Sequence, residues 1–122
     1  MRPTMLLAAM ALLAPAAARG EGDAEAGKTA FGRRCAVCHA VAEGQNKVGP
    51  SLHGVVGRAS GSAAGFNYSP AMKDAGKTWD AAAIDTYLQD PTATVPGNRM
   101  ILAGIKDEAE RQNIIAFLAT QK

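Results

Sequence analysis

Cys35-Ala36-Val37-Cys38-His39 decides how the rest of this chain is read. Two thiols stand three residues apart and a histidine follows the second directly, the C-x-x-C-H signature of covalent haem c attachment. Each part has its own physical reason. Thiols one helical turn apart can each add across one of the two vinyl groups on a haem edge, forming thioethers. The histidine is then carried to one face of the macrocycle, where its imidazole can ligate iron. The alternatives are a disulfide, a redox-active dithiol and a zinc site. Zinc needs four ligands, and Cys35, Cys38, His39 and His53 are formally enough, but their spacing fits no zinc-finger pattern.

The N-terminus supports the haem reading. Arg2 supplies a positive start, Met5 to Leu13 form an apolar run of nine residues, and Ala16-Ala17-Ala18 gives the small-x-small pattern of a cleavage site. The expectation is a secretory signal over residues 1–20, cut after Ala18 or within two residues of it, and one domain over residues 21–122. The run is too short for a membrane span, which needs roughly 20 apolar residues, so a retained anchor is the lesser alternative. Covalent haem attachment is normally completed after a chain crosses a membrane, which points to the periplasm.

Cleavage after Ala18 removes Arg2 and leaves twelve basic residues against eleven acidic ones. That near-neutral balance is not that of a nucleic-acid-binding protein, which would show a clearly basic face. Basic residues thicken around the motif (Lys28, Arg33, Arg34, Lys47), whereas Asp107, Glu108 and Glu110 lie near the C-terminus. Aromatic residues are few, and a domain this small buries only about two-thirds of its unfolded surface. A group other than side chains is expected to fill the middle.

The pattern of elements is all-α. Asp23 is placed to cap a helix over residues 24–34. Residues 40–68 show neither helical nor alternating periodicity and are rich in glycine, so they are expected to be loop. A loop of that length inside a compact domain is unusual, but tolerable if it wraps a rigid cofactor. Ser69-Pro70 opens a short helix that Gly76 ends. Asp80 caps a helix over residues 81–89 that Pro91 stops, and residues 92–104 return to loop. Asp107 with Glu110 resembles a capping box, opening a last helix to about Ala119 with Ile114, Ile115, Phe117 and Leu118 on its apolar face. No strand is expected.

A second axial ligand can be sought by elimination. Met1, Met5 and Met10 leave with the signal, so only Met72 and Met100 remain. Met72 lies in a short helix, where filling a core gap is methionine's ordinary work. Met100 follows the turn pair Pro96-Gly97 in a stretch with no helix to give it a packing role. His53 is the rival, read as a surface loop residue or one bonded to nearby backbone. Met100 is the expected ligand, and a His/Met pair raises the reduction potential.

At this point the chain resembles the class I cytochromes c, in the subgroup that joins mitochondrial cytochrome c with the bacterial cytochromes c2. The resemblance runs in order along the whole mature chain. It rests on Phe31, Cys35–His39, the run Gly49-Pro50-Ser51-Leu52-His53-Gly54-Val55-Val56-Gly57-Arg58, then Gly65-Phe66-Asn67-Tyr68-Ser69, Trp79, Tyr87-Leu88 and Pro96-Gly97-Asn98-Arg99-Met100. It implies a single domain of about four to five helices and long loops wrapped around one haem. Pro50 would offer the carbonyl that accepts the His39 ring N–H. Arg58, Tyr68 and Trp79 would donate to a buried haem propionate. Tyr87 would lie near the Met100 sulfur, and Asn98 would donate to a propionate. Gly27 and Phe31 would pack the first helix against Ile114 and Phe117. Asn98-Arg99 stands where the mitochondrial proteins have Thr-Lys, and their dense lysine collar is missing.

The function so implied is one-electron shuttling by a monomer between periplasmic or membrane redox partners: a bc1-type complex, a terminal oxidase, a reaction centre or a dehydrogenase. Two strong axial ligands would leave no open site for substrate, so the chain is not expected to be an enzyme. A haem c peroxidase-like activity, or service as the electron-accepting subunit of a periplasmic dehydrogenase, is the alternative.

Overall fold

The computed structural model describes residues 22–122, and the signal expected over residues 1–20 lies outside them. Five helices follow in order: α1 (Ala24–Arg34), α2 (Pro70–Lys73), α3 (Ala81–Gln89), α4 (Pro91–Thr94) and α5 (Glu108–Ala119). None is long and apolar enough to cross a membrane.

Helix α1 starts where Asp23 accepts hydrogen bonds from the Glu25 and Ala26 amides, satisfying two of its unpaired N–H groups. It packs along α5, and the close approach depends on Gly27: a Cβ there would sit 1.8 Å from the Asn113 carbonyl oxygen. One turn on, the rings of Phe31 and Phe117 meet at 5.4 Å, tilted by 55°. Ile114 and Ile115 are 1% exposed, so this helix pair forms the floor of the core.

Three local features depart from the sequence pattern. Pro91 was expected to stop α3 and leave loop behind it; instead Asp90 caps the Ala93 amide, and Pro91 takes the first helical turn of α4. The proline starts a helix as well as ending one, because its missing N–H is an unpaired donor position anyway. The capping box on α5 is only half made. Asp107 accepts from the Ala109 amide, but Glu110 turns to Arg34 and Arg33 across the α1–α5 groove. Finally, an isolated bridge pairs Ala59 with Thr78, flanked by Gly57 N–H to Trp79 O and Trp79 N–H to Arg58 O, both 2.8 Å.

The long glycine-rich stretch is irregular yet tied down. Asn46 donates to Ala64 O and accepts the Ser51 amide, both at 3.0 Å, joining two arms of the loop. Ser51, itself buried, donates to Ala42 O at 2.7 Å. Polar backbone in a loop this long must find partners before it can line an apolar interior.

Candidate functional site

A cavity of about 450 Å³ lies within this frame. The end of α1 builds its first wall. The amides of Cys38 and His39 both bond to Cys35 O, at 3.1 and 2.9 Å, winding residues 35–39 into a turn beyond the helix. That turn sets both half-buried thiols and the His39 ring on the cavity surface. Burial pushes the Cys35 thiol up to about 11. A redox-active dithiol needs the opposite, a thiol lowered toward neutrality.

His39 is held from behind. Its Nδ1 lies 2.8 Å from Pro50 O, which fixes Nδ1 as the protonated nitrogen and leaves Nε2 with a free lone pair. The ring lies so close to the chain that a Cβ on Gly49 would come within 2.3 Å of its Cε1. Burial lowers the affinity of His39 for a second proton, more than the Pro50 hydrogen bond raises it. The neutral, metal-ligating form is thereby favoured.

Met100 reaches the same cavity from the loop after α4. Tyr87, from α3, directs its hydroxyl at the Met100 sulfur across 3.7 Å. Burial pushes the Tyr87 phenol up to about 12, so it remains a donor. The Trp79 ring packs on Tyr87 at 5.0 Å and 52°.

Asn98 lines the cavity and is also bonded to backbone on both sides of its amide. Its amide nitrogen donates to Pro91 O at 2.9 Å and Val95 O at 2.8 Å, while its Oδ1 accepts the Met100 amide at 2.8 Å. Both amide protons go to backbone carbonyls, so Asn98 braces the methionine loop.

Arg58 presents the opposite situation. Its Nη1 donates to Ser51 O and His53 O, at 2.9 and 3.1 Å, but its Nε is buried with no partner. A buried guanidinium N–H left unpaired is costly, and it calls for an acceptor at the cavity. Tyr68 accepts the Ala63 amide at 2.9 Å, which leaves its own hydroxyl proton to donate. The bridge at Ala59 and Thr78 sets Arg58 and Trp79 side by side on adjoining backbone. The charged side chains on the wall are Arg34, Arg58 and Arg99, with no carboxylate among them.

All ten residues singled out from the sequence thus line one cavity. His53 does not line it; its Nδ1 lies 3.2 Å from Val41 O. Met72 does line it. Sequence reasoning gave no part to Val48 and Ile101, which stand 78% and 99% exposed on the wall and mark its open side.

The family model for cytochrome c matches residues 24–122. The chain belongs to the cytochrome c family. A cytochrome c2 of Rhodoplanes tepidamans is 54% identical over 98 residues, covering 80% of this chain and 91% of that protein. A cytochrome c-550 of Bradyrhizobium diazoefficiens is 50% identical, over 79% of this chain and 71% of its own. Among solved structures, cytochrome cH from Methylobacterium extorquens superposes with a TM-score of 0.76 at 45% identity, covering 81% of this chain and 99% of that one. The resemblance to the c2 subgroup therefore holds, and so does the all-α haem-wrapping fold. The cofactor is one haem c, covalent through Cys35 and Cys38. The cavity suits it: paired thiols, an imidazole with a free Nε2, an apolar interior, and cationic donors for the two propionates.

Proposed function

We propose that this cytochrome c is a one-electron carrier whose iron is ligated by His39 Nε2 and Met100 Sδ. The observation that carries the reading is that each proposed ligand side chain is held by a hydrogen bond. Pro50 O takes the His39 Nδ1 proton at 2.8 Å, and the Tyr87 hydroxyl reaches the Met100 sulfur at 3.7 Å. When bound, the haem supplies a ferric–ferrous couple. The chain's own residues hold the ligands in place in both states, keep water from the interior and meet the propionates with Arg58, Tyr68 and Trp79. A carrier needs little structural change on gaining an electron, and fixed ligands provide that.

With His39 and Met100 both on the iron, no site would be left for a substrate, which separates a carrier from a peroxidase-like enzyme. The open side of the cavity, with Val48, Arg99 and Ile101, is where a redox partner would approach. Residues 1–20 would direct export, so the partners would be periplasmic or membrane redox complexes. Relatives named cytochrome c2 and cytochrome c-550 are consistent with that setting.

Optical spectra of the purified protein, oxidised and reduced, with and without carbon monoxide, test the proposal. Low-spin bands, the far-red methionine–iron(III) band and no response to carbon monoxide are expected. Met100→Ala should keep its haem, bind carbon monoxide and fall substantially in potential. High-spin features or ready carbon monoxide binding in the wild type would overturn the carrier reading in favour of an enzyme.

A further inference from the structure

We infer that Arg111 and Asp85 form a positioning pair that fixes the far end of the Met100 loop and so sets how readily an outside ligand displaces the methionine. Arg111 is charged yet only 6% exposed. A guanidinium in that position is tolerated only when its donors are matched. Its Nε donates to Asp85 Oδ1 on α3 at 2.8 Å, and its Nη1 donates to Ile105 O at 2.9 Å and Lys106 O at 3.1 Å. Gln112, the next residue on α5, donates to the same Asp85 oxygen at 3.1 Å.

These bonds join three elements at one point. Asp85 belongs to the helix that carries Tyr87, Arg111 belongs to α5, and the two carbonyls belong to the segment closing the methionine loop. The Ile105 amide bonds to Leu88 O at 2.8 Å, which ties that segment to the end of α3 as well. Gly104 comes so near α3 that a Cβ would lie 1.9 Å from Gln89 O. At the loop's other end, Asn98 holds the Met100 amide and two carbonyls. Between the two anchors, residues 101–104 make no hydrogen bonds among the described residues. The loop is thus a short span fastened at both ends. Loosening one end lets Met100 swing out without unfolding the helices.

This inference rests on Met100 being the sixth ligand. The experiment measures the affinity of imidazole for the ferric holoprotein, in which imidazole must displace the native ligand. Asp85 is partly exposed, so Asp85→Ala should fold with its haem. It should bind imidazole at least roughly tenfold more tightly, the ratio that follows from losing the hydrogen bonds that Asp85 accepts from Arg111 and Gln112. Asp85→Asn keeps an oxygen for the Arg111 Nε and should return most of the way to wild type. Ile115→Val, in the core beneath α1, supplies a destabilised control that should leave imidazole affinity unchanged while lowering the thermal midpoint. If Asp85→Ala shifts imidazole affinity no more than Ile115→Val does, the pair is merely structural and the inference is overturned. A wild type lacking the methionine–iron band would bring down both this inference and the ligand assignment, whereas an insensitive Asp85 series with that band present brings down this inference alone.

Discussion

The Tyr87 hydroxyl donates to the sulfur of Met100 across 3.7 Å, from a helix onto an otherwise irregular loop. With Met100 as the proposed ligand, a proton donor at its sulfur would withdraw electron density and favour the ferrous state, as outer groups tune a metal through its ligands. Tyr87→Phe removes the donor and keeps the ring that packs on Trp79. The reduction potential should fall, by at most roughly 40 mV if the bond contributes about 1 kcal/mol. Redox titration of the two proteins measures it, and a rise in potential would contradict the assignment.

Gly49 and Gly32 make opposed predictions for the same substitution. A methyl group at Gly49 would collide with the His39 ring at 2.3 Å, whereas one at Gly32 would meet nothing within 4 Å. Gly49→Ala should displace the imidazole from Pro50 O, lowering both haem incorporation and the thermal midpoint. Gly32→Ala, on the exposed face of α1, should stabilise by about 0.5–1 kcal/mol through helix propensity. Haem content by pyridine haemochrome and melting curves of both variants check the pair.

The two glycines also show what was legible in the chain and what was not. Helix starts were legible because Asp23, Ser69, Asp80 and Asp107 announce them locally, and all four side chains cap as expected. Helix α4 is harder to see although Asp90-Pro91 carries the same signal as Ser69-Pro70, because Pro91 also marks the end of α3. The ten residues expected at the site share one cavity, since short motifs mark them along the chain. What stayed hidden depends on contacts between distant residues. Nothing near Gly49 reveals that a ring ten positions earlier will lie on it. Nothing near Asn98 reveals that its amide will turn to Pro91 and Val95. Nor can local patterning place Glu110 between two arginines of another helix.

That carboxylate gives a pH dependence of known sign. The Arg34 hydrogen bond, joined by Arg33, holds the Glu110 carboxyl below the usual carboxylate range. A carboxyl with a folded value below its unfolded one adds stability above the unfolded value, near 4.3, and loses it as pH falls through the folded value. Arg33 and Arg34 are 64% and 39% exposed at their side chains, so solvent screens the pair and about 0.5 kcal/mol is the expected scale. Glu110→Gln should therefore melt slightly below wild type at pH 7. The gap should narrow as pH falls below the unfolded value and close once it has fallen through the lower folded one. A gap that widens there would show that the carboxyl is not stabilised by the arginines.

The largest dependence should be on the haem itself. The cavity of about 450 Å³ borders Ile84, Leu88, Ile114 and Leu118, residues that also form the core, so the cofactor and the core are one packing unit. Cavity formation costs about 24 cal/mol per Å³, which sets an upper bound of roughly 11 kcal/mol for a cavity of this size. Whole domains are stable by only about 5–15 kcal/mol. Helices α1 and α5 keep their mutual contact through Gly27, Phe31 and Phe117 without it, whereas the irregular stretch from residue 40 to residue 68 would lose the surface it wraps. The variant with both Cys35→Ala and Cys38→Ala, freed of haem, should show weak helicity by circular dichroism and no cooperative melting transition. A sharp transition in that protein would mean that side chains alone can close the core.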